Sequence, residues 1–126
     1  MRVVDTSAWI EWSTGTALGL AVSAEIPFWE VWLVPTAVQY ELVRWARRTA
    51  GPEAGEGIVM QSSQGIVAPL TTELAHSAAQ IAEAHGLAMA DAIIYATALA
   101  NDADLLTCDA HFQGLPNVVY FKKGAP

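Results

Sequence analysis

Four carboxylates, Asp5, Glu41, Asp91 and Asp109, stand at the ends of apolar segments or inside helical ones. Asp5 closes the run Arg2-Val3-Val4, and Asp109 follows Leu105-Leu106-Thr107-Cys108. Asp91 opens the apolar stretch Ala92 to Ala100. An aspartate beside so much apolar surface is costly unless something stabilises its charge. If all four meet in one cleft they repel, and without a cation some take up protons. A hard divalent cation removes the conflict, because Mg²⁺ and Mn²⁺ favour all-oxygen shells of a few carboxylates and several waters. Such a site polarises a phosphodiester, generates hydroxide from bound water and stabilises the leaving oxygen. Thr107 and Ser7 offer hydroxyls, either to the metal shell or to hold a carboxylate. His76, His85 and His111 are scattered and lack ligand spacing, so no Cys/His cluster competes for a zinc role.

The elements that must position these groups alternate in type. Arg2-Val3-Val4-Asp5 reads as a short buried strand, with Thr6 and Ser7 as N-caps for a helix through Trp12. Gly15 to Ile26 reads as a second helix ended by Pro27, and Val31 to Val34 as a second strand. A long helix, Ala37 to Thr49, follows Pro35-Thr36 and is broken by Gly51-Pro52. Its core face carries Val38, Leu42 and Trp45; Glu41, Arg44 and Arg48 share the flank, while Tyr40 and Val43 point away as a contact surface. Glu53 to Gln61 reads as a short helix, and Gly65 to Pro69 as an edge-like strand. Thr71 or Thr72 caps a helix through Ala84 with Gly86 beyond it. The Asp91 helix, the strand Leu105 to Thr107, a last strand Asn117 to Phe121 and a polar tail Lys122 to Pro126 complete the chain. Strands alternating with helices predict one α/β domain over residues 1–126 with a mostly parallel sheet covered on both faces. In such sheets, sites form outside the carboxyl ends of the strands, where all four acids can reach.

Each residue also has a plain structural reading. Asp5 alone suits a strand-end turn, Asp91 a first-turn acid complementing the helix dipole, and Glu41 a surface acid paired with Arg44 or Arg48. Asp109 suits the cap of the turn containing His111 and Phe112, and Asp102 and Asp104 a polar connection. Cys108 reads as a small buried residue, since no histidine is placed to activate it. The five tryptophans read as core or dimer contacts.

Bulk composition narrows the class. With 126 residues and 53% apolar content the chain can build a globular core. Only 15% of residues are charged, which predicts apolar patches that meet a partner or a second copy. A formal net charge of −7 argues against passive binding to phosphate backbones, although bound cations would neutralise part of it locally. One cysteine permits no intrachain disulfide, in keeping with a reducing cytoplasm. No signal peptide is visible, and the longest apolar stretch is too short to span a bilayer, so no membrane association is expected.

Together, Val4-Asp5-Thr6-Ser7, Glu41 in a mid-chain helix, Ala90-Asp91-Ala92-Ile93-Ile94-Tyr95-Ala96-Thr97-Ala98 and Leu106-Thr107-Cys108-Asp109-Ala110-His111-Phe112 resemble the PIN-domain ribonucleases. Among these the chain is most similar to the VapC-type toxins of toxin–antitoxin pairs, over essentially its whole length. The resemblance implies a Rossmann-like α/β/α sandwich and a Mg²⁺- or Mn²⁺-dependent endoribonuclease acting on RNA. It also implies a homodimer and a cognate antitoxin whose C-terminal segment blocks the site. Carried over, Asp5, Glu41, Asp91 and Asp109 form the acidic cluster, with Asp5 and Asp91 as direct metal ligands, joined on the present reading by Asp109, and Thr107 as the hydroxyl-bearing position. The chain is poor in Lys and Arg, so Arg44 and Arg48 are the natural groups to meet phosphates or an acidic antitoxin, with Lys122 and Lys123 next.

The expectation is therefore a toxin ribonuclease in which Glu41 orients water, binds a second metal or acts as general base. One rival is a catalytically silent PIN-like module that binds RNA or protein. Another is a phosphotransfer protein. A phosphatase of that kind needs a second acid two residues after the strand-end aspartate, where this chain has Ser7; a receiver domain fits the spacing of Asp91 and Asp109 poorly.

Overall fold

The computed structural model describes residues 1–124; of the polar tail, the last two positions lie outside the described residues. The chain begins with strand β1 (Arg2–Val4) and helices α1 (Thr6–Thr14) and α2 (Ala17–Ser23). Strand β2 (Trp32–Pro35) leads into α3 (Thr36–Ala50) and α4 (Ala54–Ser62). Strand β3 (Ile66–Ala68) precedes α5 (Thr72–His85) and α6 (Met89–Ala100), and β4 (Asp104–Thr107) and β5 (Val118–Tyr120) finish the fold.

The five strands form one sheet in the order β3-β2-β1-β4-β5, and every pairing is parallel. The expected mostly parallel sheet is thus wholly parallel. Its central strands are continuous apolar runs: Val3, Val4, Leu33, Val34, Leu105 and Leu106 are all at most 2% exposed. Successive strand residues point to opposite faces, so their joint burial means that helices cover both sides. The outer strand β3 is exposed at Ile66 and Val67 and is followed by Pro69, which cannot donate to a further strand.

Several local expectations need correction. Thr6 and Ser7 are not caps: Asp5 holds the N-cap position of α1, and both hydroxyls serve other partners, as described below. The second helix is shorter than the run Gly15 to Ile26, because Gly15 takes a left-handed φ of 67° and Thr16 starts α2 by accepting from Gly19 N–H. Gly19 also lets α2 lie against α1, since a Cβ there would overlap the Glu11 carbonyl oxygen. On α3 the buried stripe is Val38, Leu42 and Ala46, and Trp45 sits at its half-buried margin. Tyr40 is exposed as expected, but Val43 is half-buried, close to Gly55 of α4.

The tryptophans pack as a cluster. Trp29 stacks on Trp32 with centroids 4.2 Å apart, Trp9 lies 4.6 Å from Trp32, and Trp12 closes on Trp9 at 5.6 Å edge to face. Trp9 and Trp32 are fully buried and join α1 to β2, which holds the first turn of α1 in place. Some large apolar side chains do reach the surface: Leu20, Phe28, Met60 and Met89 are each more than 70% exposed. Among the described residues, no helix is long and apolar enough to cross a membrane.

Candidate active site

The strand order reverses direction between β1 and β4, and the chain's acids gather at the carboxyl end of that junction. Asp5 follows β1, and its backbone N–H donates to the Leu106 carbonyl at 2.8 Å, continuing the ladder with β4. Its side chain is buried, 3% exposed. One oxygen, Oδ2, accepts from Ser7 Oγ at 2.6 Å and Thr107 Oγ1 at 2.8 Å. The Ser7 hydroxyl in turn accepts from Cys108 N–H at 3.0 Å, and Thr107 Oγ1 accepts from Asp109 N–H at 2.9 Å. Thr107 therefore fixes the Asp5 carboxylate and the backbone of Asp109 together. Both hydroxyls hold the Asp5 carboxylate, one of the two roles open to them.

Asp109 caps a short 3₁₀ turn, Ala110–Phe112, by accepting from His111 N–H at 2.9 Å. Asp91 lies in the first turn of α6. One turn further along that helix, Tyr95 packs on Phe112 at 6.2 Å and donates from its hydroxyl to the Pro116 carbonyl at 2.6 Å. Both rings are buried, so the helix carrying Asp91 is locked to the turn carrying Asp109. Glu41 enters from α3, where Oε1 accepts from Thr6 Oγ1 at 2.6 Å. Among the described residues Glu41 forms no ion pair with Arg44 or Arg48, so the paired-surface-acid reading does not hold.

The electrostatics show that the acids share a space. Burial pushes the Asp5 carboxyl up to about 6; the two hydroxyl bonds oppose this, and the charges of Asp91 and Asp109 add to it. Burial also raises Asp91, with further upward pressure from Asp109 and Glu41 and relief from His111. Asp91 is thus the common neighbour: Asp5 and Asp109 act on it or with it, and Glu41 reaches it from α3. Arg44 and Arg48 do not enter this cluster. They line an adjoining groove of about 370 Å³ with Thr6, Ile10, Tyr40, Glu41 and Trp45. Cys108 is buried, and its thiol is pushed up to about 11, mainly by burial, which makes it unreactive at neutral pH.

Two participants escaped the sequence reading. Thr6 stands where a cap would but holds Glu41. His111 lies far along the chain from the other histidines, yet its Nδ1 is 3.4 Å from Asp91 Oδ2 and 3.2 Å from Asp109 Oδ1. The available signal was the Asp-x-His spacing at Asp109-Ala110-His111 in a turn tight enough to fold the ring back. Among the described residues, Asp91, Asp109 and His111 form a group whose ligand atoms all lie within 4.8 Å of one another. The other Asp5 oxygen accepts no hydrogen bond from the described residues, and no Lys or Arg pairs with the cluster. One buried and two half-buried acids that no Lys or Arg pairs among the described residues, in an oxygen-rich donor set, fit a divalent cation.

Comparison with known proteins agrees with this architecture. The PIN domain family pattern matches residues 2–117. No curated protein matches the chain in a sequence search. Among solved structures, a toxin–antitoxin complex from Klebsiella pneumoniae matches with a TM-score of 0.79 and 21% identity, over 94% of this chain and 96% of that one. VapC20 of Mycobacterium tuberculosis, described as a sarcin–ricin loop cleaving toxin, matches at 0.75 and 20%, over 94% and 97%. FitAcB from Neisseria gonorrhoeae matches at 0.70 and 21%, over 97% of both chains. At these identities the structural likeness speaks for the fold, while the sequence pattern spans nearly the whole chain: this protein belongs to the PIN-domain family.

Proposed function

We propose that this chain is a single-domain, metal-dependent endoribonuclease, the toxin of a toxin–antitoxin pair, acting on RNA phosphodiesters. The observation that supports the reading most is that Asp91 has Asp5, Asp109 and Glu41 near it, with no Lys or Arg pairing these acids among the described residues. Family membership and the similarity to solved toxins support it. Asp5, Asp91 and Asp109 would hold Mg²⁺, or Mn²⁺ in its place. When bound, the cation supplies Lewis-acid polarisation of the scissile phosphate and neutralises charge on the leaving oxygen.

The chain's own groups do the rest. Ser7 and Thr107 aim Asp5 by donating to a single oxygen. Thr6 holds one Glu41 oxygen, which leaves the other to orient the attacking water and accept its proton. Arg44 and Arg48, exposed along the adjoining groove, meet the phosphates flanking the cut. The same groove would admit a cognate antitoxin, and the exposed Phe28, Met60 and Met89 offer surface for a homodimer.

The test is Asp91→Asn. RNA cleavage should fall by about three orders of magnitude, the equivalent of several kcal/mol of lost charge stabilisation, with the thermal unfolding profile retained. Full activity in that variant, or in wild type with excess chelator, would overturn the reading.

A further inference from the structure

His111 stands in the acidic cluster without a stated task. Its ring is held by a rigid turn: Asp109 accepts the His111 N–H, Thr107 accepts the Asp109 N–H, and Phe112 next door is fully buried. The imidazole itself is 73% exposed and open to an arriving ion. Its Nδ1 is 3.2 Å from Asp109 Oδ1 and 3.4 Å from Asp91 Oδ2. In an octahedral shell with metal–ligand distances of about 2.1–2.2 Å, neighbouring ligand atoms lie about 3 Å apart and opposite ones about 4.3 Å. The two distances from Nδ1 are close to the spacing of neighbouring ligands, and all three donor atoms lie within 4.8 Å of one another.

A second observation points to a cation at the same place. Asp5, 3% exposed, keeps one oxygen without a hydrogen-bond donor among the described residues while its other oxygen takes two. Asp91 and Asp109 lie close enough to press on the Asp5 carboxylate, and a cation held beside them would relieve that crowding.

We propose that His111 is a nitrogen ligand that completes the cation site with Asp91 and Asp109, and that it turns the site toward Mn²⁺ and later first-row cations at the expense of Mg²⁺. The inference rests on the metal-dependent reading above. Neutral imidazole lends the Nδ1 lone pair, a borderline donor that suits first-row transition ions, whereas Mg²⁺ takes oxygen almost exclusively. Removing that nitrogen leaves an all-oxygen site, on which Mg²⁺ competes better.

The experiment is pulsed electron paramagnetic resonance on Mn²⁺-loaded protein, with competitive displacement by Mg²⁺, for wild type, His111→Asn and Asp91→Asn. Wild type should show strong nitrogen coupling to the bound Mn²⁺. His111→Asn should keep Mn²⁺, lose the coupling, and show a Mn²⁺-to-Mg²⁺ affinity ratio at least about tenfold lower, the lower bound for losing even an outer partner of a ligand. Bound Mn²⁺ that Asp91→Asn releases, but without nitrogen coupling in wild type, overturns the role of His111 and leaves the metal site standing. Coupling that persists in His111→Asn overturns it equally. Mn²⁺ that fails to bind, or binds Asp91→Asn as well as wild type, overturns both readings. The exposed ring makes His111→Asn safe for folding, which thermal unfolding of the same samples checks.

Discussion

At the amino edge of the sheet, Asp104 meets Arg2 in a two-pronged pair, with Nε to Oδ1 at 2.7 Å and the terminal nitrogen to Oδ2 at 2.9 Å. At the carboxyl edge of the same two strands, Asp5, Asp91 and Asp109 meet no Arg or Lys among the described residues. The register that sets Arg2 beside Asp104 also carries β1 and β4 in step to Asp5 and Thr107. A bidentate guanidinium satisfies a carboxylate fully and stabilises the fold. Hydroxyls aim a carboxylate but leave its charge uncompensated. The amino edge is built for stability, while the carboxyl edge leaves its acids to be offset by protons, by His111 or by a ligand.

This contrast can be broken by variants. After the loss of cleavage in Asp91→Asn, the largest effect is expected at Asp5. Its folded-state value, pushed up to about 6, exceeds the ordinary 3.8, so ionising it opposes folding. In cation-free protein the stability linked to its proton is present below about pH 4 and lost as pH rises through about 6. The loss is about 3 kcal/mol at neutral pH, taken from a shift of about two units. Asp5→Asn should therefore raise stability at pH 7 by about 2–3 kcal/mol and flatten its dependence between these limits, read by denaturant unfolding across pH. A destabilised Asp5→Asn would mean that this acid is satisfied in the way Asp104 is.

At the other edge, Arg2→Ala should act in the opposite sense. Arg2 and Asp104 are 22% and 34% exposed, so solvent screens part of the pair, and a loss of about 1–2 kcal/mol is expected. Cleavage per folded molecule should stay at the wild-type level; a fall in it would couple the two edges. Ser7→Ala removes a donor to Asp5 and the acceptor for Cys108 N–H. It should cost about 1 kcal/mol of stability and, by freeing Asp5 to turn, about tenfold in cation affinity measured by calorimetry. The smallest effect is expected at Arg44→Ala, which should weaken RNA binding evenly across sequences and reduce the salt slope by about one. An unchanged slope would remove Arg44 from the phosphate path.

The alternation of strands and helices was legible because buried parallel strands are written as unbroken runs such as Leu105-Leu106-Thr107, and helix ends are punctuated by Pro27, Gly51-Pro52 and Gly86. The acids were legible for a related reason. A carboxylate following such a run, as Asp5 and Asp109 do, has few reasons to be there. The hydroxyls read less well, since Thr6 and Ser7 after a strand look like caps whatever else they bond. His111 read worst. Its place depends on how a turn of three residues folds back toward a helix some twenty positions earlier in the chain, and no periodicity encodes that distance.

Local chemistry determined most of the elements and the sheet type and marked Asp5, Asp91 and Asp109 as candidates, because hydrophobic period, turn residues and isolated charge act over a few neighbours; Glu41 joined them only through the family resemblance. Tertiary structure decided the countercharges. The in-step pairing of β1 and β4 gave Asp104 its arginine, Thr107 bound Asp5 and Asp109 together, and the Tyr95–Phe112 contact brought Asp91 to His111. Whether an acid is neutralised depends on what lies within a few ångströms of it in space, and chain order leaves that distance open.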